Sequence, residues 1–141
     1  MTVSLISEDL VSAYRAANYR VFCDEQFVLK IDQRSQKLIA LHRAHKCDCS
    51  AFITAFNPFS APTSPAENEE AQQLLEKQLS ERSLQFIKGA GEDSAGKWPS
   101  EDSALVLGVS LEIAKAIGVE FLQNAIIWSA ADGTPKLILL R

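Results

Sequence analysis

Six nearly uninterrupted apolar residues, Ala51 to Phe56, open a succession of strand and helix patterns that few topologies accommodate. An apolar run of this length is typical of a central strand that is covered on both faces. A loop at 57–64 follows. Ser64-Pro65-Ala66-Glu67 then combines a capping serine, a proline at the first helical position and a glutamate at the third. This combination predicts a helix that runs to about residue 80 or 82.

The later patterns complete a recognisable order. They are a strand at 84–88, a long loop at 89–102, a strand at 103–107, a helix capped by Ser110 with Ile113, Ile117 and Phe121 on one face, a strand at 125–128, a turn at Asp132-Gly133 and a strand at 136–140. This order predicts an α+β fold with a ferredoxin-like split βαβ core, a mainly antiparallel sheet and an extra C-terminal edge strand. Two helices should cover one face of the sheet. The strands at 51–56 and 104–107 should be adjacent and antiparallel.

The first 50 residues carry weaker patterns. Ser7 predicts the start of a helix from Glu8 to about Ala17, and two short strands should follow at 19–22 and 26–30. Ser35 predicts a second helix to about His45, although residues 38–42 also fit a short strand. We expect a single domain over residues 1–141, in which this helical and hairpin extension (1–50) packs on an edge or on the open face of the core (51–141).

Composition excludes several classes of protein. The hydrophobic content of 47% is too high for a disordered chain. No apolar run approaches the length of about 18 residues that spans a bilayer. The N-terminus has no basic segment before the acidic residue Glu8, so it does not resemble a secretory signal. The three cysteines are an odd number, which indicates reduced thiols. We therefore expect a cytoplasmic protein that does not bind membranes.

The distribution of charge argues against nucleic-acid binding. Residues 65–102 hold nine acidic and four basic side chains, a local charge of −5 within a chain of net charge −4. Nucleic-acid binding requires a basic surface that displaces counterions from phosphates. We therefore expect no DNA or RNA partner. The predicted C-terminal edge strand leaves association of two copies open, and nothing in the sequence indicates a cofactor.

The predicted topology brings three connections to one end of the sheet. If the strand at 51–56 runs upward, the loops 57–64 and 89–103 and the corner at 123–124 all lie at its upper end. These connections hold most of the polar groups other than lysine: Asn57, Ser60, Asp93, Glu101, Ser103, Gln123 and Asn124, with Trp98 among them. A loop of about fourteen residues is uncommon in a compact domain and is often functional. We therefore predict a polar cleft at this end.

Segments at the same end carry a resemblance to a known family. They are Phe52-Ile-Thr-Ala-Phe-Asn-Pro-Phe-Ser60, Glu67-Asn68, Gly89-Ala-Gly-Glu-Asp93 with Trp98, Glu101 and Ser103, and Phe121-Leu-Gln-Asn-Ala-Ile126. In this order, from about Tyr19 to Trp128, the chain resembles the bacterial domain-of-unknown-function family 3293. That family usually has Trp or Tyr where Phe56 and Phe59 stand here. The resemblance implies no activity, because the family is uncharacterised.

Three functions are open at this stage. The first is the binding of a small polar ligand in the cleft by nine residues: Asn57, Ser60, Asn68, Asp93, Trp98, Glu101, Ser103, Gln123 and Asn124. The second is an enzyme acting on a small polar substrate with Glu101 as general acid or base. The third is a protein-interaction module that uses the C-terminal edge strand or the acidic helix. The identity of any ligand or substrate stays open.

One cluster of soft metal ligands competes with these readings. His42, His45, Cys47 and Cys49 lie within eight residues, and zinc prefers such side chains. Their His-x-x-His-x-Cys-x-Cys spacing matches no common zinc site. The acidic residues Asp93, Glu101 and Asp102 likewise lack the spacing of a calcium loop. We therefore expect no metal, and the role of the His/Cys cluster stays open.

Overall fold

The computed structural model describes residues 4–141, which form an antiparallel sheet and four α-helices. In chain order the elements are α1 (Glu8–Ala16), β1 (Asn18–Val21), β2 (Phe27–Leu29), α2 (Gln36–Ala44), β3 (Ser50–Thr54), a 3₁₀ turn (Pro58–Ser60), α3 (Pro65–Glu81), β4 (Phe86–Glu92), β5 (Glu101–Leu107), α4 (Leu111–Glu120), β6 (Ala125–Ser129) and β7 (Pro135–Leu139). The predicted α+β class is confirmed. Within these residues, every helix is too short or too polar to cross a membrane.

The strands form one seven-stranded sheet in the order β2-β1-β4-β5-β3-β6-β7, and every neighbouring pair is antiparallel. Phe52 in β3 lies opposite Leu105 in β5 on one side and Ile127 in β6 on the other. The predicted antiparallel contact between the strands at 51–56 and 104–107 is therefore confirmed. β7 forms one edge, and β1 continues the sheet beyond β4.

Four serines begin the four helices. Each accepts a hydrogen bond at Oγ from the backbone N–H three residues later, which satisfies one of the free donors of the first helical turn. The pairs are Ser7 with Leu10, Ser35 with Leu38, Ser64 with Glu67 and Ser110 with Ile113. The helix starts predicted from these serines are correct, and residues 36–44 form a helix rather than the alternative strand.

Helices cover both faces of the sheet. On one face, Leu75 and Leu79 of α3 and Ile117 of α4 pack in one apolar cluster with alternate residues of the central strands. On the other face, Leu38 of α2 packs with Phe52 and the strand residues beside it. This explains why β3 is buried along almost its whole length. Ile113 was expected on the buried side of α4, but it is 45% exposed, because the helix turns Ala114, Ile117 and Gly118 inward.

The long loop predicted at 89–102 is wrong. β4 continues to Glu92 and β5 begins at Glu101, so the connection is limited to residues 93–100. Gly89 indicated a loop because glycine is depleted in strands. In the structure Gly89 lies in a strand and allows the backbone of Arg20 and the ring of Phe52 to approach it closely. A Cβ on Gly89 would lie 2.5 Å from the carbonyl oxygen of Arg20 and 2.9 Å from the ring of Phe52.

Candidate functional site

The three polar connections meet at one end of the sheet. Asn57, after β3, contacts Glu101 at the start of β5 through a hydrogen bond of 3.2 Å. The corner before β6 joins them, because the Gln123 amide nitrogen donates to the carbonyl oxygen of Phe56 at 3.1 Å. The Phe59 N–H also donates to the carbonyl oxygen of Leu122 at 2.7 Å. The convergence that the topology predicts is therefore present in the structure.

Glu101 is the carboxylate at the centre of this end. It is the first residue of β5, opposite Gly91 of β4, and its Oε2 atom accepts the hydrogen bond from Asn57 Nδ2. Burial raises the pKa of the Glu101 carboxyl, and the hydrogen bond from Asn57 opposes that shift only in part. Glu101 is thus held largely out of water, and its carboxyl group stays protonated to a higher pH than that of an exposed glutamate.

Asn57 is fixed by a reciprocal pair with Asn68 of α3. The Asn57 backbone N–H donates to Asn68 Oδ1 at 2.8 Å, and Asn68 Nδ2 donates back to Asn57 Oδ1 at 2.9 Å. The backbone N–H of Thr63 donates to the same Asn57 oxygen at 3.1 Å. These bonds determine which end of the Asn57 amide faces Glu101. Asn57 and Asn68 therefore act as positioning residues for the carboxylate.

Asn124 is bonded to the N-terminal helix and to the end of the chain. Its Nδ2 atom donates to the Tyr14 hydroxyl at 3.1 Å and to Ser60 Oγ at 3.2 Å. Its Oδ1 atom accepts from the guanidinium of Arg141 at 3.1 Å. The Tyr14 and Ser60 hydroxyls are also hydrogen-bonded to each other. All polar atoms of the Asn124 side chain are thus used within the protein.

Gln123 is used differently. Its side chain is buried (8% exposed), and its Nε2 atom donates both to the Phe56 carbonyl at 3.1 Å and to the Phe121 carbonyl at 3.2 Å. An amide nitrogen has two hydrogens to donate, so these two bonds occupy it fully. They leave the Gln123 side-chain oxygen as the atom of this amide that can accept a further hydrogen bond.

Two adjoining pockets open at this end. The first, here called the sheet pocket, has a free volume of about 90 Å³ and lies against the strands, with Tyr19, Phe52, Ser103, Gln123, Asn124 and Ile127 in its wall. The second, the loop pocket, has a free volume of about 350 Å³ and is lined by Leu10, Asn57, Pro62, Thr63, Pro65 and Asn68. Both are also lined by six shared residues: Tyr14, Phe56, Ser60, Trp98, Pro99 and Glu101. Glu101 therefore stands where the pockets meet.

All nine residues predicted for the cleft line one pocket or both. Asn57 and Asn68 lie in the loop pocket, and Ser60, Trp98 and Glu101 are shared. The other four line the sheet pocket: Asp93, Ser103, Gln123 and Asn124. The structure brings these side chains together, and whether they bind a ligand stays a prediction.

Two members of this set also have local roles. Asp93 Oδ2 accepts from the backbone N–H of Lys97 at 2.6 Å and so shapes the 93–100 loop. Ser103 Oγ donates to the carbonyl oxygen of Glu101 at 3.0 Å. Trp98 lines both pockets as expected, but it is 43% exposed. Its indole N–H has no hydrogen-bond partner within residues 4–141.

The loop after β3 is held in an unusual backbone conformation. Asn57, Phe59 and Ser60 have φ angles of 46°, 54° and 60°, and Leu122, bonded to Phe59, has a φ of 56°. Residues other than glycine rarely adopt this left-handed region, and each such residue costs of order 1 kcal/mol or more. Strained residues of this kind concentrate at functional sites, so their clustering beside Glu101 supports the choice of site.

The aromatic wall of the sheet pocket was missed at the sequence level. Tyr14 of α1 and Tyr19 of β1 belong to it, and the Tyr19 hydroxyl donates to the Tyr14 carbonyl at 2.6 Å. Burial raises the pKa of the Tyr19 hydroxyl, which therefore stays protonated. Tyr14 meets Asn124 across 110 positions of sequence, and no local pattern signals a contact of that length.

The His/Cys cluster does not converge. His42 is buried, with Nε2 at 2.8 Å from Ser50 Oγ, and burial lowers the pKa of its ring. Cys49 Sγ donates instead to the Val109 carbonyl at 3.2 Å, and burial raises the pKa of this thiol. Across residues 4–141, no three His, Cys, Asp or Glu side chains are arranged to hold a metal ion.

Comparison with known proteins places the chain in a family. Residues 53–126, just over half of the 141, match the family described as "Protein of unknown function (DUF3293)". No curated protein and no solved structure matches the chain. The matched segment contains Asn57, Asn68, Glu101, Gln123 and Asn124, and with them the polar side of both pockets. On this match, the chain belongs to the DUF3293 family.

Proposed function

We propose that this protein binds a small polar ligand in the cleft formed by the sheet pocket and the loop pocket. The observation that carries the proposal is the position of Glu101, a largely buried carboxylate where the two pockets meet. The free volume of the loop pocket, about 350 Å³, is that of a site for a small molecule. We place this function in the cytoplasm of a bacterial cell, without a nucleic-acid partner.

The electrostatics of Glu101 favour a ligand over a purely structural role. A carboxylate that is removed from water usually gains a cationic partner, because an isolated buried charge is costly. The neighbouring Glu92 follows this rule, since its Oε1 atom lies 3.1 Å from the guanidinium of Arg20. In residues 4–141, Glu101 forms no such ion pair and has only the neutral amide of Asn57. A bound ligand would supply the missing partner.

The strands and helices around the cleft are suited to hold its side chains in fixed positions. We assign β3, α3, β4, β5, α4 and β6 to a ferredoxin-like core, in support of which the four strands lie in the order β4-β5-β3-β6 with antiparallel neighbours. The core and the first 50 residues share one sheet, which favours a single domain. Side chains positioned by such a scaffold keep their geometry better than those on free loops.

An enzyme is the second candidate function, because burial raises the pKa of the Glu101 carboxyl toward the range of a general acid or base. Once a ligand of the cleft is found, an assay of its turnover distinguishes an enzyme from a binding protein. Turnover of that ligand by the wild-type chain, lost in Glu101→Gln while some binding remains, would establish an enzyme. Recovery of the ligand unchanged after prolonged incubation would leave binding as the function.

A thermal-shift screen of a metabolite library tests the proposal, with three forms of the full chain compared in parallel. Asp102→Asn is the matched control for Glu101→Gln, because Asp102 is the next residue of β5, is exposed and lines neither pocket. A true ligand should stabilise the wild-type chain and Asp102→Asn, and it should lose most of its effect on Glu101→Gln. If every hit stabilises all three forms equally, or if the library gives no hit, the proposal is wrong.

A further inference from the structure

We infer that the ligand presents a cationic hydrogen-bond donor, an ammonium or guanidinium group, to Glu101 in the sheet pocket. This inference rests on the proposed function, since it names the class of ligand for the same cleft. Three independent properties of the pocket lead to it: the sign of its charge, the hydrogen-bonding atoms that the protein leaves unused, and the aromatic rings in its wall.

The charge of the lining is entirely negative. Glu92, Asp93 and Glu101 line the sheet pocket, and among the described residues neither pocket is lined by Lys, Arg or His. Arg20 neutralises Glu92, and Asp93 accepts a backbone N–H of its own loop. Glu101 is left as the carboxylate without a charged or loop-shaping partner. An anionic ligand would be repelled by this lining, and a cationic one attracted.

Arg141, a cation hydrogen-bonded to the wall of the sheet pocket, is already engaged. Arg141 donates to Asn124 Oδ1 at 3.1 Å, and its guanidinium carbon lies 3.9 Å from the centre of the Phe59 ring. Arg141 lines neither pocket. It therefore does not turn the sheet pocket into a site for anions.

Among the side-chain polar atoms of Gln123, Asn124 and Glu101, those that the protein leaves unused are acceptors. Asn124 Nδ2 donates to two hydroxyls and Gln123 Nε2 to two carbonyls, so both nitrogens are fully occupied. The Gln123 oxygen and the second oxygen of Glu101 have no hydrogen-bond partner in residues 4–141. The indole N–H of Trp98 is a free donor, but that side chain is 43% exposed and water can satisfy it. The Gln123 and Glu101 oxygens are likewise open to water in the free protein, and a ligand that replaces this water must donate hydrogen bonds.

The aromatic wall suits a cation as well. Five aromatic side chains line the sheet pocket around these acceptors: Tyr14, Tyr19, Phe52, Phe56 and Trp98. The faces of such rings attract ammonium and guanidinium groups electrostatically. The free volume of the sheet pocket, about 90 Å³, is enough for a head group and too small for a whole metabolite. The rest of the ligand would occupy the larger loop pocket on the other side of Glu101.

Three compounds that differ in their head group test this inference: 2-phenylethylamine, 2-phenylethanol and 3-phenylpropanoate. Each is titrated into the ¹⁵N-labelled full chain while the backbone amide resonances of Gly91, Ser103 and Asn124 report on the sheet pocket. The amine should bind about tenfold or more tightly than the alcohol, and the carboxylate most weakly. Glu101→Gln should reduce amine binding to the level of the alcohol, whereas Asp102→Asn should leave the tenfold preference intact.

The outcomes separate this inference from the proposed function. If the alcohol or the carboxylate binds as tightly as the amine, or if the preference for the amine persists in Glu101→Gln, the cationic class is wrong and ligand binding stands. If none of the three shifts these resonances at about 10 mM, the cationic class is also overturned, and the proposed function then depends on the library screen alone. The three-compound comparison in the wild-type chain decides the question even if Glu101→Gln fails to fold.

Discussion

Replacing Glu101 by glutamine separates a ligand-binding carboxylate from a structural one. Glutamine has nearly the same shape, and its side-chain oxygen can still accept from Asn57 Nδ2, which lies 3.2 Å from Oε2 in the wild-type chain. A hydrogen bond to a charged group contributes about 1.5–3 kcal/mol and a neutral one about 0.5–1.5 kcal/mol, so the substitution weakens this bond by about 1 kcal/mol. It also removes a charge whose burial is unfavourable.

The direction in which the pKa of Glu101 shifts shows whether the weakened hydrogen bond or the removed buried charge has the larger effect. Burial raises the pKa of the carboxyl despite the bond from Asn57, so the charged form is a net cost to the folded state. We therefore expect the free energy of unfolding of Glu101→Gln to lie within about 1 kcal/mol of the wild-type value. For a chain of this size that corresponds to a melting temperature within about 4 °C. Urea denaturation and thermal melts at neutral pH measure both quantities.

The same argument predicts a pH dependence. Because the folded-state pKa of Glu101 is above its unfolded value, the folded chain binds this proton more tightly. The stabilisation is complete below the unfolded pKa and is lost as pH rises through the folded pKa. Wild-type stability minus that of Glu101→Gln should therefore fall from acidic to neutral pH. Asn57, which bonds this carboxyl, has no ionisable side chain, and burial moves the pKa of the nearby Tyr19 hydroxyl further above this window.

A large loss of stability would refute the reasoning. If Glu101→Gln lowers the free energy of unfolding by more than about 2 kcal/mol, the carboxylate is structural and the proposed function loses its main residue. Asp102→Asn removes the same charge from an exposed neighbour and should change the stability by at most about 0.5 kcal/mol. An equal loss in both variants would instead indicate a general effect of charge on this strand.

Three further predictions concern other parts of the molecule. Gly89→Ala should lower the free energy of unfolding, measured by urea denaturation, by about 2 kcal/mol or more, because the added Cβ would lie 2.5 Å from a carbonyl oxygen. Gly91→Ala should lower it clearly less, because the nearest atom to its Cβ would be 4.0 Å away, and equal losses would contradict this prediction. Trp98→Ala should lower stability by about 1–2 kcal/mol, since the side chain is 43% exposed, and an unchanged melting temperature would show that the indole covers nothing. Burial lowers the folded-state pKa of His42, so the stability that this residue contributes should be present above its unfolded pKa and lost as pH falls below about 6.5. In urea denaturation between about pH 8 and pH 5, His42→Gln should flatten this loss of stability, whereas the exposed control His45→Gln should not. An unaltered slope in His42→Gln would refute the assignment.

Local signals were sufficient for the order of elements and for the region of the site. The serine caps, with Pro65 and Glu67 in α3, mark the helix starts, and the apolar run at 51–56 marks the central strand. From that order the antiparallel contact of β3 with β5 followed, and with it the meeting of the loop after β3, the start of β5 and the corner before β6. The acidic and amide residues of the cleft could therefore be named from the sequence.

The errors arose where tertiary packing decides the structure. Local propensity places Gly89 in a loop, but this residue fills a narrow space between the backbone of Arg20 and the ring of Phe52. Ile113 fitted the helical spacing, yet the position of α4 on the sheet leaves it exposed. Tyr14 contacts Ser60 and Asn124 across 46 and 110 positions of sequence, and such contacts depend on how β1 joins β4.

The walls of the sheet pocket have two separate origins in the chain, and this has a consequence for how the pocket can change. The acceptor atoms of Glu101 and Gln123 lie inside the matched segment 53–126, whereas the rings of Tyr14 and Tyr19 are contributed by α1 and β1, which precede it. Under the proposed function, the acceptors that would recognise the charge of the ligand and the two tyrosine rings that bound its space therefore lie in different stretches of sequence and can be varied separately.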